Sequence, residues 1–272
     1  MSEFLFCTLS VGLPYTRDYT IQLIDEVLSL TTSRIAITTD HPDFLRDRYP
    51  GEERLLIDTF DRSKYKIRLG SAPPVPTQDP SCWATDFNFN LKYTVLEPLI
   101  GIQEKYIIFM DCDDKIGTWD EEKTLEWVTA AYERGANFYG ERTNPNVLPD
   151  IISEYIRTLY MKEPMSLGWH KVWAYDLIHN LRPEWKCAGF PTEHLFILVN
   201  EGDKLKKFYD QWKELHDHLA SLPYTHGTWA EGIELGICAA AAGYTPCDIP
   251  YEIMRQFVVS GHKDGFHHAT ER

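Results

Sequence analysis

The N-terminal part of the chain alternates short apolar runs with one helical pattern. Residues 4–9 and 34–39 are apolar runs of strand length, and a third short strand is predicted over 54–57. Between the first two runs, residues 17–30 carry apolar side chains near helical spacing, with Asp18 as a candidate N-terminal cap. This order of strands and helix is typical of a parallel sheet, so we predict a Rossmann-like α/β half here.

The remaining chain continues the alternation, with two interruptions. Residues 70–86 are rich in proline and predict a surface connection, and residues 145–190 are irregular and aromatic. The pattern favours a single α/β domain of 272 residues with a mostly parallel central sheet flanked by helices. The predicted helices cover 89–100, 120–134, 203–219 and 229–242, and the predicted strands cover 105–110, 137–141 and 194–199.

Composition narrows the class of protein. The chain is 43% hydrophobic and 25% charged, which is typical of a globular protein with a sizeable core. A formal net charge of −14 disfavours nucleic acid as a partner and argues against a nuclease. The six cysteines show no C-x-x-C pair, and neither a signal peptide nor a membrane span is recognisable. We therefore expect reduced thiols in a cytoplasmic protein.

A cluster of acidic residues follows the predicted strand at 105–110. The sequence from 107 to 114 is IIFMDCDD, and alternation along an extended backbone would place Asp111 and Asp113 on one face. Carboxylate oxygens suit Mg²⁺ or Mn²⁺, which also take phosphate oxygens from a substrate. The alternative is a solvated turn whose aspartates cap the helix that begins near Asp120.

At this motif the chain resembles the GT-A glycosyltransferases, whose D-x-D motif follows such a strand and binds a metal and a nucleotide diphosphate. The resemblance implies the GT-A fold, with Asp111 and Asp113 as metal ligands and Asp113 also counted among the catalytic residues. Residues 229–244, WAEGIELGICAAAAGY, are similar to the family's x-E-D helix. Glu231 matches its Glu, and Gly232 stands where inverting members carry the Asp that acts as base. The resemblance therefore implies either Glu231 as the base or a retaining mechanism. Alternatively, Glu231 is an ordinary acid favoured by the helix dipole.

The C-terminal residues resemble a further motif of the same family. In VVSGHKDG, residues 258–265, His262 matches the third metal ligand, with His267 and His268 as competitors or as plain surface residues. A site of carboxylates and one imidazole favours Mn²⁺ over Mg²⁺. Lys263 is a candidate phosphate contact.

The resemblance also implies which loops meet the nucleotide-sugar. Asp40 is expected at its base or ribose, although Asp40 could equally cap the turn before Pro42. Four tryptophans and Glu193 are weaker candidates on the acceptor side. The tryptophans are Trp169, Trp173, Trp185 and Trp229, and the other donor-side candidates are Ser10, Val11, Gly12, Thr39, Asn88, Asn90 and Lys92.

Together these features predict a metal-dependent glycosyltransferase that uses a nucleotide-sugar, expected to be a UDP-sugar bound with Mn²⁺, and an acceptor of unknown class. Residues 1–114 would bind the nucleotide-sugar, 115–245 the acceptor, and 246–272 would close on the metal. The acceptor alternatives include a hydroxymethylated pyrimidine in DNA. The alternative functions are a sugar-phosphate nucleotidyltransferase, disfavoured by a single glycine after the first strand, and a non-catalytic binding module, suggested by Gly232.

Overall fold

The computed structural model describes residues 2–65, 89–140, 194–220 and 231–258. The strands in these ranges are β1 Phe4–Ser10, β2 Arg34–Thr39, β3 Leu55–Thr59, β4 Tyr106–Met110, β5 Lys115–Ile116, β6 Phe138–Gly140, β7 Leu195–Val199, β8 Pro246–Asp248 and β9 Phe257–Val258. The α-helices are α1 Leu13–Tyr15, α2 Ile21–Leu30, α3 Pro42–Arg48, α4 Glu121–Glu133, α5 Lys204–Ala220, α6 Glu231–Ala241 and α7 Tyr251–Met254. A π-helical turn spans Thr16–Thr20, and 3₁₀ helices span Arg62–Lys64 and Phe89–Leu99.

Seven of the described strands form one central sheet in the order β3-β2-β1-β4-β7-β6-β8. Strands β1 to β4 are parallel to one another, and β8 is parallel to β6. Strand β7 alone is antiparallel to its neighbours, β4 and β6. The predicted α/β class with a mostly parallel sheet is confirmed.

Helical layers cover both faces of this sheet. Along β1, Leu5 and Cys7 pack into the core that the long 3₁₀ helix, α5 and α6 cover. Phe4 and Phe6 pack into the opposite core, under α2 and α4. Because successive side chains of a strand point to opposite faces, the apolar run of β1 is buried on both sides.

The helical region after β1 begins earlier than predicted. Gly12 turns the chain off the strand with φ +96°, and the Thr16 amide already donates to the Gly12 carbonyl at 3.1 Å. Helical backbone therefore runs from residue 13 through the π-helical turn into α2. Asp18 is not a cap, because it lies inside this run and pairs with Arg17 at 2.6 Å.

A second, two-stranded sheet holds the end of the described chain beside the end of β4. Strand β9 is antiparallel to β5, with Val258 opposite Lys115. The side chain of Gln256 accepts a hydrogen bond from the Asp120 amide at 2.7 Å, and its backbone carbonyl accepts from the amide of Gly117 at 2.9 Å. These contacts fix the residues that follow the acidic cluster. The predicted surface connection at 70–86 and the segment 145–190 lie outside the described ranges.

The described helices include none that combines the length and the apolar character needed to cross a bilayer. The cysteines described, Cys7, Cys112, Cys238 and Cys247, are free thiols.

Candidate functional site

The acidic cluster forms a tight turn at the end of β4. The strand ends at Met110, and the Asp114 amide donates to the Asp111 carbonyl at 3.0 Å. The Asp114 carboxylate accepts from the Asp111 amide at 3.2 Å, and Asp114 is 1% exposed. The expectation that Asp111 and Asp113 share a face by strand alternation is therefore wrong, because the backbone is not extended beyond Met110.

Two basic side chains hold the Asp111 carboxylate. Lys92, from the long 3₁₀ helix, places its Nζ 2.8 Å from Oδ1 and 3.0 Å from Oδ2. His194, the residue before β7, places its Nδ1 2.8 Å from Oδ2. Both oxygens of Asp111 therefore have a basic partner. The Asp111 side chain is only 16% exposed, so the site is largely enclosed.

These contacts fix the ionisation of the group. Burial opposes the charged form of Asp111, but the charge of Lys92 and the hydrogen bond from His194 hold the pKa of this carboxyl below its ordinary value. Burial also lowers the pKa of His194, yet the hydrogen bond and charge of Asp111 outweigh it and raise that pKa to about 9. At neutral pH the carboxylate therefore lies between two cations.

Asp40 joins the loops that follow β1 and β2. Its Oδ1 accepts a hydrogen bond from the Gly12 amide at 2.8 Å. Asp40 does not cap the helix after it, because α3 has His41 at its N-cap position and no side-chain capping bond. The His41 amide donates instead to the Thr39 hydroxyl at 3.1 Å.

The hydroxyl of Ser10 lies inside a cluster of threonines. Thr20 donates to its Oγ at 2.6 Å, and Thr16 Oγ1 lies 2.9 Å from it and 3.3 Å from Thr39 Oγ1. Ser10 is fully buried. Its hydroxyl therefore ties the strand ends together and is not exposed for contact with a ligand, contrary to the expectation for this side chain.

The sheet brings several of the predicted site residues to one edge. Strands β1, β2 and β4 are parallel, so the segments that follow them, with Gly12, Asp40, Asp111 and Asp113, lie at their shared carboxyl edge. Lys92 reaches the same edge through Asp111.

Other predicted residues fall where the structure describes no side chain. Glu231 is the first residue of α6, but only its backbone is described. Outside the described ranges lie Asn88, Trp169, Trp173, Trp185, Glu193, Trp229, His262, Lys263, His267 and His268, and the side chain of Asn90 is also not described.

The described side chains fit a metal ion only in part. Asp113 is half-buried and has no hydrogen bond to another described residue, whereas Asp111 is already neutralised. Within the described ranges, no three His, Cys, Asp or Glu side chains form a group that could hold a metal. A cation here would therefore rely on Asp113, on substrate oxygens and on residues beyond these ranges.

His194 is the site residue that the sequence pattern did not single out. The run HLFILVN indicates a central strand, and β7 is that strand. Because β7 is antiparallel to β4, Leu195 lies opposite Met110, and the residue before β7 meets the residue after β4. The sequence offers only a polar residue at the start of an apolar strand as a signal, because it does not show that this strand is antiparallel to β4.

Comparison with known proteins gives structural similarities only. No protein-family model matches the chain, and no curated protein matches it in sequence. Similar solved structures include S. aureus TarS 1-349 in complex with UDP-GlcNAc, with 11% identity, a TM-score of 0.31, and coverage of 53% of this chain and 35% of that one. The chain thus covers about a third of that TarS fragment.

Two further structures match over most of the chain. Core-mannan synthase A from Aspergillus fumigatus, in an Mn/GDP form, has 10% identity, a TM-score of 0.47, and coverage of 96% of this chain and 75% of that one. Mouse xyloside xylosyltransferase 1, in its apo form, has 10% identity, a TM-score of 0.47, and coverage of 90% and 84%.

Proposed function

We propose that the protein is a glycosyltransferase that moves a sugar from a nucleotide-sugar, with a UDP-sugar as the first candidate, to an acceptor hydroxyl. The observation that carries this proposal is the acidic turn after β4, held by Lys92 and His194 at the carboxyl edge of the sheet. In the reaction, the bond between the sugar's anomeric carbon and the diphosphate breaks. A bond from that carbon to the acceptor oxygen forms, and the hydroxyl proton leaves to a base.

Asp113 and His262 are the proposed ligands of a divalent cation, with Mn²⁺ preferred over Mg²⁺. A bound cation would neutralise charge on the leaving diphosphate. The position of β9 supports His262, because Val258 lies opposite Lys115, the residue after Asp114. Three residues lie between Val258 and His262, and the four Cα-to-Cα steps from one to the other span at most about 14 Å.

The remaining roles divide between the two substrates. Gly12 and Asp40 are proposed at the nucleoside, and Lys92, Asn88 and Lys263 at the diphosphate. The Asp40–Gly12 hydrogen bond supports the first assignment, because it fixes the loop that a nucleoside would contact. Ser10 contributes by bonding the strand ends together.

Glu231 is proposed on the acceptor side, as the base of an inverting reaction. The match of residues 229–244 to the x-E-D helix supports this role, and Glu231 lies within α6. The absence of a carboxylate at Gly232 keeps a non-catalytic module as the second candidate function. The net charge of −14 disfavours, among acceptors, a modified base in DNA.

A thermal-shift panel of nucleotide-sugars, each with Mn²⁺ and with EDTA, tests the proposal. We expect UDP-sugars to raise the melting temperature in Mn²⁺ and much less in EDTA, because binding to the folded state alone stabilises it. A panel without any stabilising nucleotide-sugar would contradict the proposal. Stabilisation without sugar release would favour the binding module.

A further inference from the structure

His194 reaches Asp111 in two independent ways. Its carbonyl accepts a hydrogen bond from the Asp111 amide at 2.9 Å, which continues the pairing of β7 with β4. Its ring Nδ1 lies 2.8 Å from Asp111 Oδ2. The backbone hydrogen bond pairs the two strands whatever side chain stands at position 194. The contact of the imidazole with the Asp111 carboxylate is therefore separate from the strand pairing.

The effect of this contact is to fix the carboxylate's orientation. Lys92 Nζ approaches both oxygens of Asp111, at 2.8 and 3.0 Å, and therefore does not distinguish one oxygen from the other. The imidazole lies 2.8 Å from Oδ2, so it distinguishes the two oxygens and favours one orientation of the carboxylate. Charge-assisted hydrogen bonds from two elements, the 3₁₀ helix and the start of β7, thus hold one carboxylate in place.

Asp111 in turn fixes Lys92. The Lys92 side chain is 8% exposed, and its ammonium lies 5.8 Å from the centre of the Phe109 ring. A buried ammonium needs a fixed counter-ion, and Asp111 supplies it. The position of the Lys92 charge at the strand end therefore depends on the contact between His194 and Asp111.

We propose that His194 is a positioning residue of the nucleotide-diphosphate site, acting through Asp111 to hold the Lys92 ammonium where the diphosphate binds. This inference rests on the proposed function. It also gives Asp111 the part of an internal anchor and leaves Asp113 as the carboxylate directed to the cation. A binding site that is organised before the ligand arrives binds more tightly, because less ordering accompanies binding.

Calorimetry with UDP in the presence of Mn²⁺ tests this role with three variants. His194→Leu removes the ring hydrogen bond, and His194→Asn places an amide N–H near the position of Nδ1. Tyr132→Phe is the control, because it removes a 2.6 Å hydrogen bond to Glu201 beyond the other end of β4. We expect the Leu variant to bind UDP about ten- to a hundredfold more weakly, which is the effect of one hydrogen bond to a charged group.

The Asn variant should recover most of that affinity, and the Tyr132 variant should bind as the native protein does. A merely structural role would lower the melting temperature of both His194 variants and leave UDP affinity unchanged, which overturns the inference. Native protein that binds UDP, together with a Leu variant of equal affinity, overturns the inference alone. Native protein that binds no UDP overturns the inference as stated for UDP, and the proposed function is overturned with it only when no nucleotide-sugar of the thermal-shift panel stabilises the protein.

Discussion

The three aspartates after β4 have three different environments within four residues. Asp111 is held by Lys92 and His194, Asp114 is buried against the backbone of the turn, and Asp113 is half-buried. Only Asp113 has no hydrogen-bond partner among the described residues. Substitutions in this cluster should therefore separate binding from stability.

We expect Asp113→Asn to abolish the Mn²⁺-dependent part of UDP binding and most turnover, with little change in stability. Asp114→Asn should lower the free energy of unfolding by about 1 to 2 kcal/mol, because it disturbs a buried hydrogen-bonded carboxylate. Urea unfolding and UDP calorimetry on both variants measure the two effects. The assignment is wrong if Asp114→Asn loses metal-dependent binding and remains fully stable.

Glu231→Gln tests the base. A general base typically contributes about 10² to 10⁴ in rate, so turnover should fall by that order while UDP affinity stays nearly constant. NMR of the product should show an inverted anomer relative to the sugar donor. A retained anomer would make Glu231 an acceptor-positioning residue, and loss of UDP binding in the variant would contradict both roles.

At the residue scale, the sequence predicts which residues belong to the site better than it predicts their contacts. Asp111 and Lys92 could be singled out, because one follows an apolar strand and the other precedes it on a helical pattern. The pairing with His194 could not, since it depends on β7 being antiparallel to β4. Local spacing carries no information on strand direction between residues 83 positions apart.

Among the elements, the strands were predictable and the turns were not. The apolar runs gave β1, β2, β4 and β7 to within one residue, because strands buried on both faces are continuously apolar. The predicted helix after β1 begins at residue 17, later than the observed helical backbone. The turn at Gly12 that starts it depends on a positive φ, which the pattern of apolar positions does not show. The acidic run after Met110 likewise predicts extended chain, where the structure has a turn.

The hydrogen bond between Asp40 and Gly12, which links the loops after β1 and β2, can be tested by substitution. Asp40→Ala removes the acceptor of the Gly12 amide, and we expect UDP affinity to fall about fivefold or more, since a typical hydrogen bond contributes about 1 kcal/mol. Asp40→Asn keeps an acceptor oxygen and should retain most of the affinity. If calorimetry shows that both variants bind UDP as tightly as the native protein, the loop after β2 is not part of the nucleoside site.

Arg34 and Glu104 join β2 to the residue two positions before β4, at the edge of the sheet opposite the site. The guanidinium donates to the carboxylate at 2.5 and 2.7 Å, and the Glu104 side chain is 4% exposed. Burial opposes the charged form, but Arg34 and backbone hydrogen bonds hold the pKa of Glu104 below its ordinary value. The pair should therefore stabilise the protein at neutral pH.

A lowered folded-state pKa adds stability above the unfolded pKa, roughly 4.3, and loses it as pH falls further. Glu104→Gln should lower the free energy of unfolding by about 1 to 2 kcal/mol at pH 7. The loss stays modest because Arg34 is partly exposed and solvent screens the pair, and it should be smaller at pH 3. Urea midpoints at the two pH values measure the difference. If the stability difference between the native protein and Glu104→Gln is the same at pH 7 and pH 3, the ion pair is not its cause.

In the whole molecule, the site follows from the strand order. The chain proceeds from β1 to β2 and β3 on one side, then crosses to β4 on the other side of β1. Loops diverge at such a switch point and leave a crevice at the carboxyl edge, where ligands bind in open α/β sheets. The loop after β1 and the acidic turn after β4 lie on the two sides of this switch point, and β9 brings the end of the described chain beside β5, just after the acidic turn.

The most direct test of the central claim is to incubate the native protein and Asp113→Asn with a panel of nucleotide-sugars and Mn²⁺, and to identify the products by mass spectrometry. We predict that the native protein converts one UDP-sugar to UDP and a transferred or hydrolysed sugar, and that the variant does not. Intact nucleotide-sugars throughout would contradict the claim. So would pyrophosphate release from a nucleoside triphosphate and a sugar phosphate in a parallel reaction, which is the product of a nucleotidyltransferase.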